Sequence, residues 1–468
     1  MSRSLVLARA LREACRWGVP RAGSLCALVA CLAAGHVRAE EGGPDKAGIT
    51  HPSIATSLPF NGDPHGARAR LASQGLVYDL AYTNDFLANT DGGLRRGLVN
   101  QGKLEGSLTA DLGKLLGLKG LAFYANGFQI DNTGRMRRDY VGGLDTIAAI
   151  EARPSLRLSE IWLEQRFAGG KGSLRIGQVA ADTEFYYSDA SAMLLHSDWA
   201  TIPAVNLPSG GAAYPLSTPG ARLRYELTPR LTVLLGVLNG DPAGPGPGDE
   251  QKRNPNGLNF RVQDPPFVIG EVQLRTNAGA RDPGLANTTK LGAWGHFGSF
   301  ADQRYADDGT LIADPAGSQE AARRRGNAGV YVAIDQQLYR PAGGASDQGI
   351  LAYTRISATP SDRNPVSLYI DAGLVFAGVW PSRPGDKLGI GLMYSRFSDS
   401  ARAFDQDTIS LTGAPGVVRD YEANLEISYQ AQIRPGWRIQ PAFGRVWHPA
   451  GDADRNATFV GVRNLIHY

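Results

Sequence analysis

From about residue 75 to its end, the chain is a train of roughly ten-residue segments in which apolar and polar side chains alternate, separated by clusters of Gly, Pro, Asn and Asp. A period of two sends neighbouring side chains to opposite faces of an extended strand. Helical spacing is nearly absent, and no later segment approaches the ~20 consecutive apolar residues that a membrane helix requires. Two classes remain: a soluble all-β protein, or one that crosses a membrane with strands.

The segments fall at 75–88, 98–110, 119–130, 156–168, 172–180, 219–227, 230–239, 266–276, 288–298, 328–338, 349–357, 366–378, 386–397, 420–432, 436–447 and 457–468. That makes about sixteen, an even number, as single-chain bacterial barrels have. Long connections follow odd segments: 131–155, 181–218, 240–265, 299–327 and 398–419. Short ones such as 168–171, 228–229 and 435–436 follow even segments. A transmembrane barrel shows this alternation, with long extracellular loops, short periplasmic turns and both termini on the periplasmic side. One pair breaks the rule, since 339–348 exceeds 358–365.

A secreted sandwich or propeller also has many short strands. Against it, the chain ends in Tyr468 with Ile466, Val462 and Val460 on one strand face, and Tyr82, Phe86, Phe167, Tyr225 and Trp447 sit at segment ends, where interfacial girdles form. Pro and Gly crowd the loops, as in 241–249, and no blade-like repeat is visible. The fold class expected is all-β: a transmembrane antiparallel β-barrel of the outer-membrane porin type.

The first stretch speaks to the compartment. Arg3, Arg9, Arg12, Arg16 and Arg21 precede an apolar run from Leu25 to Ala34, and Val37-Arg38-Ala39 offers small residues for cleavage. The expected organisation is a signal peptide at 1–39, a periplasmic leader at 40–74 with a short helix near Ala67–Ser73, and the barrel at 75–468. A rival cut before Cys31 would give a lipoprotein. Cys15, Cys26 and Cys31 all lie in the signal segment, so the mature chain cannot rest on disulfides or thiolate metal sites. Losing residues 1–39 removes six arginines and one glutamate, which takes the net charge from +3 to about −2 and gives nucleic-acid binding no support.

A charge turned toward hydrocarbon costs roughly 2–4 kcal/mol for Arg or Lys at the midplane, so charged faces point into the lumen. On this rule Gln101, Lys103, Glu105 and Ser107 oppose Leu104 and Leu108, and Glu160, Trp162 and Glu164 oppose Ile161, Leu163 and Phe167. Arg222, Arg224 and Glu226 oppose Leu223 and Tyr225, while Glu271, Gln273 and Arg275 oppose Val272 and Leu274. Lys290, Trp294 and His296 share the lumen side. A wall with both charge signs and a few aromatic faces suits neutral polyhydroxylated solutes: charged groups bond vicinal hydroxyls and a ring stacks on a sugar. The same charges also fit a salt-bridged, solvated wall with no solute role. The longest connection, 181–218, carries Asp182, Glu184, Phe185, Tyr186, Tyr187 and Asp189. It forms either an inward constriction or an external lid.

Enzyme signatures are missing: there is no GxSxG, HExxH or Walker motif, and the histidines are scattered. The expectation is a channel that needs no cofactor or metal. The alternatives are a barrel enzyme acting on glycans through paired acids such as Glu160 and Glu164, or a general non-selective porin.

The runs YVGGLDTIAAIEA (140–152), RLSEIWLEQRF (157–167), RIGQVAADTEF (175–185), NLPSGGAAYPLSTPGAR (206–222) and LNGDPAGPGPGD (238–249) resemble the carbohydrate-selective porin family, OprB type. GDPHGARARLASQG (62–75) looks like that family's N-terminal block, although Pro64-His65 depart from it, and GVRNLIHY (461–468) looks like its last strand. The resemblance implies a sixteen-stranded outer-membrane barrel that admits glucose and other small neutral sugars by passive diffusion, with an arginine- and acid-bearing constriction. Glu160, Trp162, Glu164, Asp182 and Glu184 lie inside the matched blocks. The preferred sugar, the pore radius and the choice between monomer and trimer stay open.

Overall fold

The computed structural model describes residues 44–50, 52–196, 205–279 and 282–468. The expected signal peptide, with both of its cleavage alternatives, lies outside the described residues. Sixteen strands follow one another: β1 Leu76–Gly92, β2 Gly97–Asp111, β3 Leu121–Asn132, β4 Ser155–Phe167, β5 Gly172–Val179, β6 Thr218–Thr228, β7 Leu231–Asn239 and β8 Pro266–Thr276. The second half continues with β9 Asn287–Ala306, β10 Ala321–Tyr339, β11 Gly349–Ala358, β12 Val366–Ala377, β13 Lys387–Phe397, β14 Tyr421–Arg434, β15 Trp437–Trp447 and β16 Asn456–His467.

Every strand pairs antiparallel with its chain neighbours, and β1 pairs with β16, so the sheet closes and leaves no edge. The register obeys the side-chain alternation. Leu291 is 58% exposed and Phe297 68%, on the outer face of β9, whereas Lys290, Trp294 and His296 of the same strand are buried on the inner face. Each lumen set named from the sequence shares one face in the same way, and Leu104, Leu163, Leu223, Val272 and Leu274 are exposed on the other.

Two departures from the sequence reading have physical causes, and one expected element is found in place. The connection expected at 299–327 spans only 307–320, because β9 and β10 run past the rim as a hairpin in which Phe300 and Asp302 stay buried and Arg324 reaches Asp302 at 2.6 Å. The connection after β13 holds a helix, Asp399–Thr412, capped by the Ser398 hydroxyl accepting from the Ala401 amide and ended by Gly413 in the left-handed region. Finally, the helix expected near Ala67 spans Ala67–Gln74 and docks on the barrel. Its buried Arg68 donates to the Gly48 carbonyl at 3.0 Å and lies 4.9 Å from the centre of the Tyr468 ring.

Candidate functional site

A sixteen-strand cylinder is too wide to be filled by its own side chains. Two connections fill it instead. The described parts of the chain between β5 and β6, residues 180–196 and 205–217, turn inward and are tied to the wall by strand carboxylates that accept from backbone amides. Such groups accept only, so a lumen acid matches a loop N–H that would otherwise be buried without a partner.

The ties run across the barrel. Glu160 on β4 accepts from the Ala180 amide at 3.0 Å. Asp182 accepts from the Tyr214 amide at 2.8 Å and closes the neck of the loop. Glu271 on β8 takes the Tyr186 amide at 2.9 Å and the Tyr331 hydroxyl at 2.6 Å. Lys290 on β9 donates to the Tyr187 carbonyl at 2.8 Å. Asp335 on β10 holds the Ser188 hydroxyl and the Asp189 amide, the latter at 3.0 Å. On the far wall, Glu426 of β14 accepts from the Leu195 amide at 2.7 Å and lies 2.6 Å from His196 Nδ1. Met193 and Leu194 pack in an apolar cluster with Tyr353 and Val375.

The connection between β3 and β4 enters beside it. Glu422 accepts from the amides of Leu144 and Asp145 at 2.6 and 2.7 Å, and the Ala149 amide donates to the Leu195 carbonyl at 2.7 Å, which joins the two loops. The open alternative for 181–218 is therefore decided by geometry: the described part of the loop folds into the lumen.

The inward turn brings Glu184 against the wall at β4–β6. Arg175 reaches Glu184 at 2.6 Å and Glu164 at 3.1 Å, while Arg222 reaches Glu164 at 2.7 Å and also pairs with Glu184. Two cations face two anions in a bidentate lattice whose charge is balanced. Trp162 lies under it, with the Arg175 guanidinium 3.7 Å above its ring centre and Tyr124 stacked at 4.8 Å. The indole is thus packed against both Tyr124 and Arg175, and the ring positions Arg175.

The other candidates are dispersed. Lys103 pairs with Glu105 at 2.7 Å near the rings of Phe128 and Tyr214. Arg224 pairs with Glu226 at 2.7 Å, half-exposed at the turn end of β6. Arg275 sits near the turn end of β8, away from the cluster. Glu271 and Trp294 lie beneath the loop, and Trp294 belongs to an apolar cluster with Phe185, Tyr186 and Leu207. Sequence reasoning missed Arg175 and the anchors Asp335 and Glu426. Alternation would have placed Arg175 opposite Leu174 and Ile176, but nothing local marks which lumen acid receives a distant loop.

Residues 95–468 match the family described as carbohydrate-selective porin, OprB family. The chain belongs to that family. Porin B of Pseudomonas aeruginosa is 23% identical over 426 residues, which cover 86% of this chain and 89% of the relative. Among solved structures, the high-pH structure of Pseudomonas putida OprB matches with a TM-score of 0.77 at 18% identity, covering 87% of this chain and 97% of that one. The low-pH structure of the same protein gives 0.51 at 15% identity over the same shares. At these identities the structural likeness speaks to the fold. Family and barrel together make the chain an outer-membrane, carbohydrate-selective porin, with the architecture of a channel rather than of an enzyme.

Proposed function

We propose that this porin passes small neutral sugars by passive diffusion past the cluster of Glu164, Arg175, Glu184 and Arg222. The observation that carries the reading is the inward fold of 180–196 and 205–217, which narrows a wide barrel and sets a balanced array of charged hydrogen-bonding groups on one side of what remains. Guanidinium and carboxylate groups exchange hydrogen bonds with vicinal hydroxyls, and a balanced wall favours neither anions nor cations. Contacts of this kind are weak enough to release what they bind, which conduction requires. Lys103, Glu105, Arg224 and Glu226 extend the polar wall above and below. Export by a cleaved signal at 1–39, ahead of a leader at 40–74 and the barrel at 75–468, belongs to the same reading, and no cofactor is needed.

The test is planar-bilayer conductance of the purified protein, with glucose, maltose and gluconate added in turn at fixed salt. Saturable block by a neutral sugar and weaker block by gluconate is the expected result. Conductance indifferent to every sugar would instead describe a general porin, and no conductance would overturn the reading.

A further inference from the structure

Outward-facing arginines near the extracellular rim elsewhere have an acid beside them: Arg396 pairs with Asp399 at 2.8 Å, and Arg445 lies 3.8 Å from Asp91. Arg323 and Arg325 of β10 differ. They pair across the ladder with Ala301 and Ser299, which continue the outward row of β9 above Phe297, while Arg324 between them turns inward to Asp302. Both are exposed, and among the described residues neither has a carboxylate within ion-pair distance. Arg323 bonds the Ser299 carbonyl at 2.5 Å.

Below them a groove of about 610 Å³ crosses the outer face of β8–β11. Gly270, Ala293 and Ala358 lie in one cross-strand row with Val330, and Leu291 and Ile356 stand in the next row. Gly270 is the fifth residue of β8, counted from its long-loop end, and Ala358 is the last of β11, so the groove lies in the extracellular half of the wall. Arg325 is five residues above Val330, about 17 Å along the strand.

We propose that this face binds a phosphorylated, multiply acylated glycolipid of the outer leaflet, with phosphate on Arg323 and Arg325 and one acyl chain in the groove. Guanidinium groups match phosphate in a fork geometry, and the absent side chain at Gly270 and the single methyl groups at Ala293 and Ala358 let a chain lie close to the backbone. Free phosphate would use the arginines and leave the groove empty, so the two features together select a lipid. The inference rests on the outer-membrane placement and is independent of what passes through the lumen.

The experiment uses the purified protein in detergent, titrated with diphosphorylated lipid A, with the same lipid stripped of phosphate, and with pyrophosphate, and read by native mass spectrometry. Lipid A is expected to bind saturably, at least fivefold more tightly than the stripped lipid or pyrophosphate. Arg323→Ala with Arg325→Ala, and separately Ala293→Trp, should each weaken it at least fivefold. Heat-modifiable gel mobility and unchanged conductance show that each variant is folded, and keep this test separate from that of the channel. A smaller loss in the arginine double variant, equal binding of the stripped lipid or pyrophosphate, or occupation of the face by a second copy of the chain would overturn the proposal.

Discussion

The double substitution Asp335→Ala with Glu426→Ala removes two of the carboxylates that hold the inward loop to the wall. Asp335 accepts from the Ser188 hydroxyl and from the amides of Asp189 and Ala190 at 3.0 and 3.4 Å; Glu426 accepts from the Leu195 amide at 2.7 Å and faces His196 Nδ1 at 2.6 Å. Hydrogen bonds to a charged buried group contribute about 1.5–3 kcal/mol each. Five at the lower end would exceed 7 kcal/mol, roughly, but the loop amides regain water once the loop lifts, so about 4 kcal/mol is a fair net loss for the pair. That is nearly a thousandfold shift toward the lifted state, at about 1.4 kcal/mol per factor of ten. Burial of Met193 and Leu194, at about 1.5–3 kcal/mol each, opposes it, and Phe185 and Tyr186 remain packed near the β5 end. Residues 188–196 should therefore detach part of the time while the barrel stays closed. Single-channel recording should show at least a twofold rise in conductance, added open-channel noise and weaker sugar block. A folded double variant that conducts and is blocked like the parent would refute the idea that these carboxylates hold the constriction.

Three further outcomes are expected. Leu223→Arg places a charge on the lipid face, costs about 2–4 kcal/mol near the midplane, and should reduce the heat-modifiable folded band, while Arg224→Ala should leave it intact; the reverse would mean a face assignment wrong by one residue. Arg175→Ala removes one of the two buried guanidinium groups that face Glu164 and Glu184 and should shift the reversal potential in a KCl gradient toward cation selectivity, and an unmoved potential would take the cluster off the ion path. In the 240–265 loop, burial acts to raise the Asp249 carboxyl, but bonds from Arg153, the Gln251 amide and Arg135 hold it below the usual range. Its folded-state value is depressed, so its contribution to clamping 135–153 is present above the unfolded value of about 3.9 and is lost as pH falls through the folded one. Hydrogen exchange of 135–153 should speed up as pH falls below about 4, after correction for intrinsic rates, and Asp249→Asn should remove that dependence.

The wall was legible because its physics is local. Each strand faces lipid on one side and water or protein on the other, so the alternation that shows Leu223 between Arg222 and Arg224 is itself the record of burial. Strand number, loop and turn sides, and the lumen faces of Glu160, Glu271 and Lys290 all follow from that period of two. The 399–412 helix escaped because its pattern fits one short exposed element, although the Ser398 cap and Gly413 stop stand in the sequence. The runs that resemble the porin family carried the function class further than alternation could.

What the sequence by itself determined is the closed sheet and the division of its side chains between lipid and lumen, since the two-residue period, the long-short alternation of connections, the aromatics at segment ends and the cost of exposing charge to hydrocarbon all point the same way. Which lumen groups meet one another was decided only in three dimensions. Glu184 reaches Arg175 and Arg222, and Glu426 receives Leu195 from 231 residues away, because a loop crosses a closed cylinder. Trp162 meets Tyr124 and Arg175 by a different route, through the register of the adjacent strands β3, β4 and β5. No local pattern encodes those meetings: the acceptor on a strand looks the same whether its donor is water, a neighbouring side chain or the amide of a distant loop.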